Sequence, residues 1–263
     1  LFPYTTLFRS ASVPFLAAWL GSRLGWKAPH VIFGLLALLV GFYALTVPAA
    51  ARDEAAAEGR PGDPGERKIN IPLMVLFYAS CALGGMGSRG VLTFLPTYLG
   101  QSLASGGGLD KVTLGGIAAT VTLTAGAVGQ YTAGRLVDRR RPDLLYAGTL
   151  LLSALSVLAL AAGSGALLVA GALGFAFFTF GYQPMQNYIV SKLLPRRRHG
   201  AGYGIMFFMG FGVGSLAAAL AGYLADRFGL ASLFYAMAGC YAVSFAASLG
   251  VLALERRTPG SYA

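Results

Sequence analysis

Long apolar runs separated by short polar segments make up most of the chain. A helix needs about 20 mainly apolar residues to cross a bilayer, and seven runs in the sequence approach or exceed that length. They cover residues 31–48, 71–99, 112–133, 144–162, 166–191, 203–224 and 231–253, and an eighth, incomplete run precedes Arg23. Because a backbone inside a bilayer must satisfy its own hydrogen bonds, the pattern predicts an all-α membrane protein, a multi-pass helical bundle.

The polar segments between these runs differ in length. Residues 49–70 combine charges of both signs with three glycines and two prolines, which is typical of a solvated linker. The other connections are short, so we expect consecutive helices to pack as antiparallel neighbours.

The composition agrees with a lipid-embedded chain. Apolar residues make up 56% of the sequence and charged residues 11%, whereas about a quarter of the residues in a soluble domain are charged. Cys81 and Cys240 lie far apart in apolar runs, so neither a disulfide framework nor metal-ligand spacing is indicated. The sequence predicts no cofactor and no metal site.

The net charge of +10 is distributed unevenly. If the helices alternate in direction, fourteen lysines and arginines share one side, in residues 49–70, 134–143, 192–202 and the tail after Leu254, and four lie on the other. Cytoplasmic loops carry such an excess, so the linker 49–70 and the C-terminus are predicted to be cytoplasmic, in a cell (inner or plasma) membrane. No basic stripe is interleaved with exposed aromatic residues, so the expected partner is the lipid bilayer and not a nucleic acid.

The acidic residues avoid the apolar runs. Eight of the ten lie in predicted cytoplasmic loops, and the other two, Asp110 and Asp226, lie in predicted outer loops. An intramembrane enzyme would need a nucleophile with a base, or a pair of carboxylates, within the bilayer. The apolar runs contain neither, so the sequence does not indicate an enzyme.

The first ten residues differ in character from the rest. The stretch LFPYTTLFRS resembles the translation of a sequencing adapter, and the chain has no initiator methionine. We therefore treat residues 1–10 as an artefactual leader outside the fold and expect a truncated reading frame.

A short repeat links the two ends of the remaining sequence. LGSRLG at residues 20–25 aligns with LADRFG at residues 224–229, and six apolar runs separate the two copies. Parallel repeats of six helices are a transporter architecture.

Three stretches carry a family resemblance: GVLTFLPTYL at residues 90–99, GRLVDRRR at 134–141 and PRRRHGAGYG at 195–204. Together they resemble the seventh helix, the cytoplasmic loop motif and the approach to the eleventh helix of the major facilitator superfamily. The resemblance extends over essentially everything after residue 11. It implies two six-helix halves, a central cavity between them and alternating access by rocking.

The resemblance also implies a division of the chain. Residues 11–48 would hold the end of the fifth helix and the sixth helix, residues 49–70 the central linker, and residues 71–263 the C-terminal six-helix half. Most of the N-terminal half would then be missing, and it would be a partner of this chain in the complete protein.

The motif at 134–141 implies a cytoplasmic gate formed by Gly134, Asp138, Arg139 and Arg141. In the family such loops are thought to latch one state. A surface ion pair contributes at most about 1 kcal/mol, but that is enough to bias states that differ by a few kcal/mol. The alternative is an ordinary basic stop signal after a membrane helix.

Arg89 is the only charged residue within the apolar runs. An arginine inside a membrane helix costs at least about 2.5 kcal/mol, so it needs a partner, water or a substrate. The family's seventh helix lines the cavity, which implies Arg89 and Tyr78 as substrate-cavity candidates, with Arg89 facing an anionic group. The alternative is that the side chain of Arg89 extends to the outer headgroups.

Polar residues recur on one face of the predicted helix 166–191. The spacing brings together Thr179, Gln183, Gln186 and Asn187, with Tyr182 beside them. Amides facing lipid would lack hydrogen-bond partners, so this face is expected to point inward. The family's tenth helix also borders the cavity, which makes these residues substrate-cavity candidates. Hydrogen bonding between helices is the alternative.

Two glycines in the run 203–224 indicate close packing. Gly210 and Gly214 are four residues apart and form a small-xxx-small pair. Such a pair predicts that the helix backbone approaches a neighbouring helix closely.

The resemblance implies a function as well as a fold. It indicates secondary-active transport of a small organic solute, either an anionic compound or a drug or metabolite that is exported. A non-transporting membrane receptor or assembly factor on the same fold is the alternative.

Overall fold

The structure, a computed structural model, describes Leu20 and residues 24–25, 27–46, 70–104, 111–137, 141–195 and 198–257. The regular structure in these ranges is helical. The chain divides into two compact units, residues 1–66 and 67–263. This division lies within the predicted linker, and the predicted limits at 11–48, 49–70 and 71–263 stay a prediction.

In the first unit, the described residues include the helix α1, Lys27–Thr46. No charged residue follows Lys27 in this helix, and most of its large apolar side chains, such as Leu39 and Val40, are exposed. A helix that is apolar on all sides is typical of a membrane segment.

The second unit contains six described helices: α2 (Ile71–Leu103), α3 (Lys111–Val137), α4 (Pro142–Ala162), α5 (Gly165–Leu193), α6 (His199–Phe228) and α7 (Leu230–Arg257). Five of them, all except α3, are long and apolar enough to cross a membrane. The predicted all-α, multi-pass membrane fold is therefore confirmed.

Two of the seven predicted spans fall short of that criterion. The apolar stretch of α1 is shorter, Lys27–Tyr43. α3 has 27 residues, but its threonines and glycines lower its mean hydropathy. Larger apolar side chains of α3, among them Ile117 and Val128, are exposed, whereas Thr122 is buried. α3 thus packs inward through small residues and presents its apolar side chains outward.

The order of the helices along the chain does not fully determine their packing. α5 packs against α3 and α4, α7 packs against α2 and α4, and α2 also contacts α3 and α6. α3 and α4 scarcely touch, so the expectation that all consecutive helices are neighbours is wrong there. α3 packs closely against α5 because Gly129 has no side chain. A Cβ at Gly129 would lie 2.7 Å from the Cα of Phe177 in α5.

Hydroxyl groups join α2, α4 and α7 in the core. Ser80 Oγ lies 3.0 Å from Tyr146 OH and 3.0 Å from Ser244 Oγ, and the Ser244 hydroxyl donates to the Ser80 carbonyl at 2.8 Å. Hydrogen bonds between membrane helices contribute roughly 0.6 kcal/mol each on average. This network joins three helices, of which α2 also lines the cavity described below.

A buried charge cluster lies where α4 begins and where α5 and α7 end. Lys192 Nζ is 2.9 Å from Asp143 Oδ2 and 2.9 Å from Glu255 Oε1. Asp143 and Glu255 lie within α4 and α7, so the prediction that both lie in loops is wrong, and their side chains are only 6% and 11% exposed. They tolerate burial because Lys192 supplies a shared counter-charge.

Candidate functional site

A cavity of about 120 Å³, called the Arg89 cavity below, lies between α2, α5 and α6. α2 contributes Cys81, Gly85, Ser88 and Arg89, α5 contributes Tyr182, Gln183, Gln186 and Asn187, and α6 contributes Met206, Phe207, Gly210 and Phe211. The cavity brings together five of the seven residues that the sequence indicated as substrate-cavity candidates.

α2 and α6 are in backbone contact beside this cavity. A Cβ at Gly85 would collide with the backbone of Gly210, and a Cβ at Gly214 would lie 2.9 Å from the carbonyl carbon of Gly85. Only residues without a side chain allow such an approach. Gly210 and Gly214, the predicted packing pair, both lie at this contact, and Gly85 is a partner that the sequence analysis missed.

α6 departs from regular α-helix where it lines the cavity. It is α-helical over His199–Phe207 and Gly214–Phe228 and forms a π-helical segment over Phe208–Val213. π-helical turns within α-helices are frequent at functional sites. Phe211 of this segment lines the cavity, whereas Phe208 of the same segment does not.

Among the described residues, Arg89 is the only charged one that lines the cavity. Its guanidinium carbon lies 4.3 Å from the centroid of the Phe211 ring, which is a cation–π distance. Within the part of the chain that the structure describes, no carboxylate oxygen lies within 4.0 Å of the Arg89 guanidinium. The arginine therefore has an aromatic neighbour there but no counter-charge.

The α5 wall supplies amide groups. Gln186 Nε2 lies 3.3 Å from the Tyr146 hydroxyl and 3.4 Å from Cys81 Sγ, and Gln183 Oε1 accepts from Gln130 Nε2 of α3 at 3.4 Å. These contacts are interhelical hydrogen bonds, made by residues that also line the cavity. A role in lining the substrate cavity and a role in hydrogen bonding between helices are compatible, because each amide has several donor and acceptor positions.

Tyr182 and Asn187 complete this wall. The Tyr182 hydroxyl donates to the Gly84 carbonyl at 3.4 Å and so ties α5 to α2. The backbone carbonyl of Asn187 accepts from the Tyr203 hydroxyl at 3.1 Å. Among the described residues, the side-chain amide of Asn187 has no hydrogen-bond partner, so it is available to a ligand.

Thr179 and Tyr78 do not line the Arg89 cavity. Thr179 is buried one turn away, where its hydroxyl lies 2.8 Å from Tyr241 OH and 3.3 Å from Ser153 Oγ. The Tyr78 hydroxyl donates to the Gly202 carbonyl at 3.1 Å and joins α2 to the first part of α6. Both side chains thus make contacts between helices.

The predicted cytoplasmic gate is only partly described. Gly134 lies near the end of α3, and a Cβ there would meet open space. Arg141 immediately precedes α4. Asp138 and Arg139 lie outside the described residues, so the gate stays a prediction.

Several wall residues were not predicted: Cys81, Ser88, Met206, Phe207 and Phe211. In a chain that is 56% apolar, one more phenylalanine or methionine carries no signal. The glycines on both sides of Phe211 were the one available hint, because Gly210 and Gly212 leave its ring free of bulky sequence neighbours.

The cavity is suited to binding a small ligand with an anionic group. Arg89 offers N–H donors, the α5 amides offer both donors and acceptors, and α6 offers apolar surface. In the described ranges, no group of three or more His, Cys, Asp and Glu residues is placed to hold a metal ion.

Comparisons with known proteins agree with this architecture. Residues 108–263 match the model of the family described as Major Facilitator Superfamily. The chain is also similar to the multidrug resistance protein MdtG of Dickeya zeae (strain Ech586), at 30% identity over 184 residues. That similarity covers 65% of the chain and 43% of the relative, so the chain spans less than two thirds of the relative's length.

Proposed function

The chain belongs to the major facilitator superfamily, and on that premise we propose that it is part of a secondary-active carrier for small organic anions. The solute would bind in the Arg89 cavity and cross the membrane as two six-helix halves rock about it. This chain would supply the C-terminal half and the sixth helix, and an N-terminal half would supply the opposite wall.

One observation carries this proposal: a membrane-embedded arginine lines a cavity and has no carboxylate partner among the described residues. A charge in this position is costly unless water, a partner or a ligand compensates it. A bound carboxylate or phosphate would provide charge-assisted hydrogen bonds to the guanidinium. The amides of Gln183 and Asn187 could hold polar groups of the same solute.

The geometry favours a cavity role for Arg89 over contact with the outer headgroups. An extended side chain would carry the guanidinium along the helix and away from its neighbours. The Arg89 guanidinium carbon instead lies 4.3 Å from the centroid of the Phe211 ring of α6, and Arg89 lines the same cavity as Gln186 of α5.

The proposed orientation follows from the charge distribution. The linker 49–70 and the C-terminus would be cytoplasmic, and the membrane would be the cell (inner or plasma) membrane. The relative MdtG is named a multidrug resistance protein, which supports a drug or metabolite as the solute and export as the direction.

Transport measurements on Arg89→Gln test this proposal. The complete carrier would be reconstituted into liposomes, and the flux of labelled organic anions would be followed under imposed pH and sodium gradients. We expect the variant to lose at least about nine tenths of the flux, because it loses charge-assisted hydrogen bonds. Arg227→Gln is the matched control, since the Arg227 guanidinium carbon also lies near an aromatic ring, 5.8 Å from the centroid of the Tyr223 ring, but Arg227 lies outside the cavity wall and outside the predicted gate motif.

Equal anion flux in wild-type protein and Arg89→Gln would contradict the proposal. So would an equal loss in Arg89→Gln and Arg227→Gln, because a general effect of removing an arginine would then explain the result.

A further inference from the structure

Phe211 lies against Arg89, the only charged residue among the described residues that line the Arg89 cavity. Its ring centroid is 4.3 Å from the Arg89 guanidinium carbon, and its side chain remains 46% exposed. A guanidinium binds carboxylates through the N–H groups at its edge, in its own plane. The Phe211 ring thus lies beside the group to which a carboxylate would bind.

The backbone that carries Phe211 is held in place. Gly210, the preceding residue, lies against the backbone of Gly85, and Gly214 packs against the same glycine. The π-helical segment Phe208–Val213 spans this contact. The ring of Phe211 thus projects from an anchored backbone, so its position relative to Arg89 is set by the contact between α2 and α6.

The cavity around Arg89 has an apolar side and a polar side. Apolar side chains of Met206, Phe207 and Phe211 line the α6 side, and the amides of Gln183 and Asn187 line the α5 side. A ligand that fits both sides would have an anionic end near Arg89 and an apolar body against α6.

From these observations we infer that the Arg89 cavity selects anions that carry an aromatic ring, and that Phe211 is the specificity-determining residue. This inference rests on the proposed function. The carboxylate binds the edge of the Arg89 guanidinium, and the ligand ring packs against the ring of Phe211. Aromatic pairs prefer offset or edge-to-face contacts, which a saturated ring cannot reproduce.

The test compares the binding of two ligands of similar size and equal charge. Labelled benzoate and cyclohexanecarboxylate are titrated at neutral pH into the full chain in lipid nanodiscs. We expect the wild-type protein to bind benzoate about threefold to tenfold more tightly, the factor that one aromatic contact provides. Phe211→Leu keeps an apolar side chain but removes the ring, so it should bring this ratio close to one.

Phe208→Leu is the matched control. Phe208 lies in the same π-helical segment and is 63% exposed, but it does not line the cavity. This variant should keep the wild-type ratio. Phe211→Tyr keeps the aromatic ring and should keep the preference for benzoate, which separates loss of the ring from loss of the fold.

The outcomes separate this inference from the proposed function. If Arg89→Gln binds both anions as well as the wild-type protein, the proposed anion site itself is wrong. If Arg89→Gln loses both anions but Phe211→Leu keeps the preference for benzoate, the role of Phe211 is wrong and the anion site stands. A wild-type protein that binds neither ligand, or binds both equally, would also overturn the inference.

Discussion

Lys192 and Arg89 are two cations that the helices of the second unit hold in opposite ways. Lys192 lies between two carboxylates, with an N–O distance of 2.9 Å to each. Arg89 has the Phe211 ring as its neighbour and no carboxylate within 4.0 Å among the described residues. The first cation is compensated within the chain, and the second lines a cavity.

This difference distinguishes a charge that stabilises the fold from a charge that is available to bind a ligand. A cation that completes an ion-pair cluster contributes to the folded state, and its removal leaves buried carboxylates without a partner. A cation in a cavity without a counter-charge is costly to the folded state, and a bound anion would offset that cost. Replacing Lys192 should therefore mainly lower stability, whereas replacing Arg89 should mainly weaken anion binding.

The largest expected effect is that of Lys192→Met on stability. The variant leaves the side chains of Asp143 and Glu255 buried without their counter-charge. Removing one partner of a buried ion pair costs about 3–5 kcal/mol, and the partial exposure of Lys192 reduces this to about 3 kcal/mol. The free energy of unfolding, measured by denaturant titration in mixed micelles, would show the loss. Lys192→Arg, which keeps the charge, should retain most of the stability, and an unaltered Lys192→Met protein would show that the cluster is not structural.

Gly85→Ala should have the next largest effect, because the Arg89 region depends on backbone contact and not on ion pairs. The added methyl group would collide with the backbone of Gly210, which cannot move aside as a flexible side chain could. Overpacking of this kind costs about 1–3 kcal/mol. Gly116→Ala in α3 is the control, since a Cβ there meets open space. Equal unfolding free energies for the two variants would argue against the close contact between α2 and α6.

Arg89→Met should show the reverse of the Lys192 result. Removing an arginine that has no counter-charge should leave the free energy of unfolding unchanged or raised. Binding of benzoate to the chain in nanodiscs should weaken at least about tenfold, because charge-assisted hydrogen bonds are lost. A variant that unfolds more easily than the wild-type protein and still binds benzoate would assign Arg89 a structural role.

The smallest effects distinguish two neighbouring amides of α5. Gln186 donates to Tyr146 and Cys81, so Gln186→Leu should lower the unfolding free energy by about 0.6 kcal/mol per interhelical hydrogen bond lost. Asn187→Leu removes an amide that has no partner among the described residues. We expect it to leave stability unchanged and to weaken solute binding. Identical effects of the two substitutions on both measurements would mean that the amides share one role.

The positions of the helices were largely predictable from the sequence. The run predicted at 144–162 corresponds to α4 at Pro142–Ala162, and the run at 166–191 corresponds to α5 at Gly165–Leu193. The requirement to satisfy backbone hydrogen bonds in lipid makes a long apolar run a reliable indicator of a helix. Which helices contact each other was less predictable, because backbone contacts such as that at Gly129 leave no signature in hydrophobicity.

The polar wall of the cavity was also indicated by the sequence, and its apolar wall was not. Gln183, Gln186 and Asn187 stand out against an apolar background and share a helix face, and Arg89 is conspicuous as a lone charge. Phe211 resembles every other phenylalanine in the chain until the π-helical segment places it beside Arg89.

The charge cluster was missed for a different reason. Lys192 is 49 residues from Asp143 and 63 residues from Glu255 along the chain. All three residues lie at helix ends, where charges are normally solvated, so only their packing in three dimensions reveals the shared pairing.

The central prediction is that a bound anion contacts Arg89. Solid-state NMR of the chain in bilayers can measure the dipolar coupling between labelled arginine guanidinium nitrogens and the labelled carboxyl carbon of benzoate. We predict a guanidinium-to-carboxyl distance of roughly 4 Å, as expected for a charge-assisted pair, in the wild-type protein and in Arg227→Gln, and no such coupling in Arg89→Gln. Bound benzoate that shows no coupling to any arginine, or a coupling that persists in Arg89→Gln, would contradict the account.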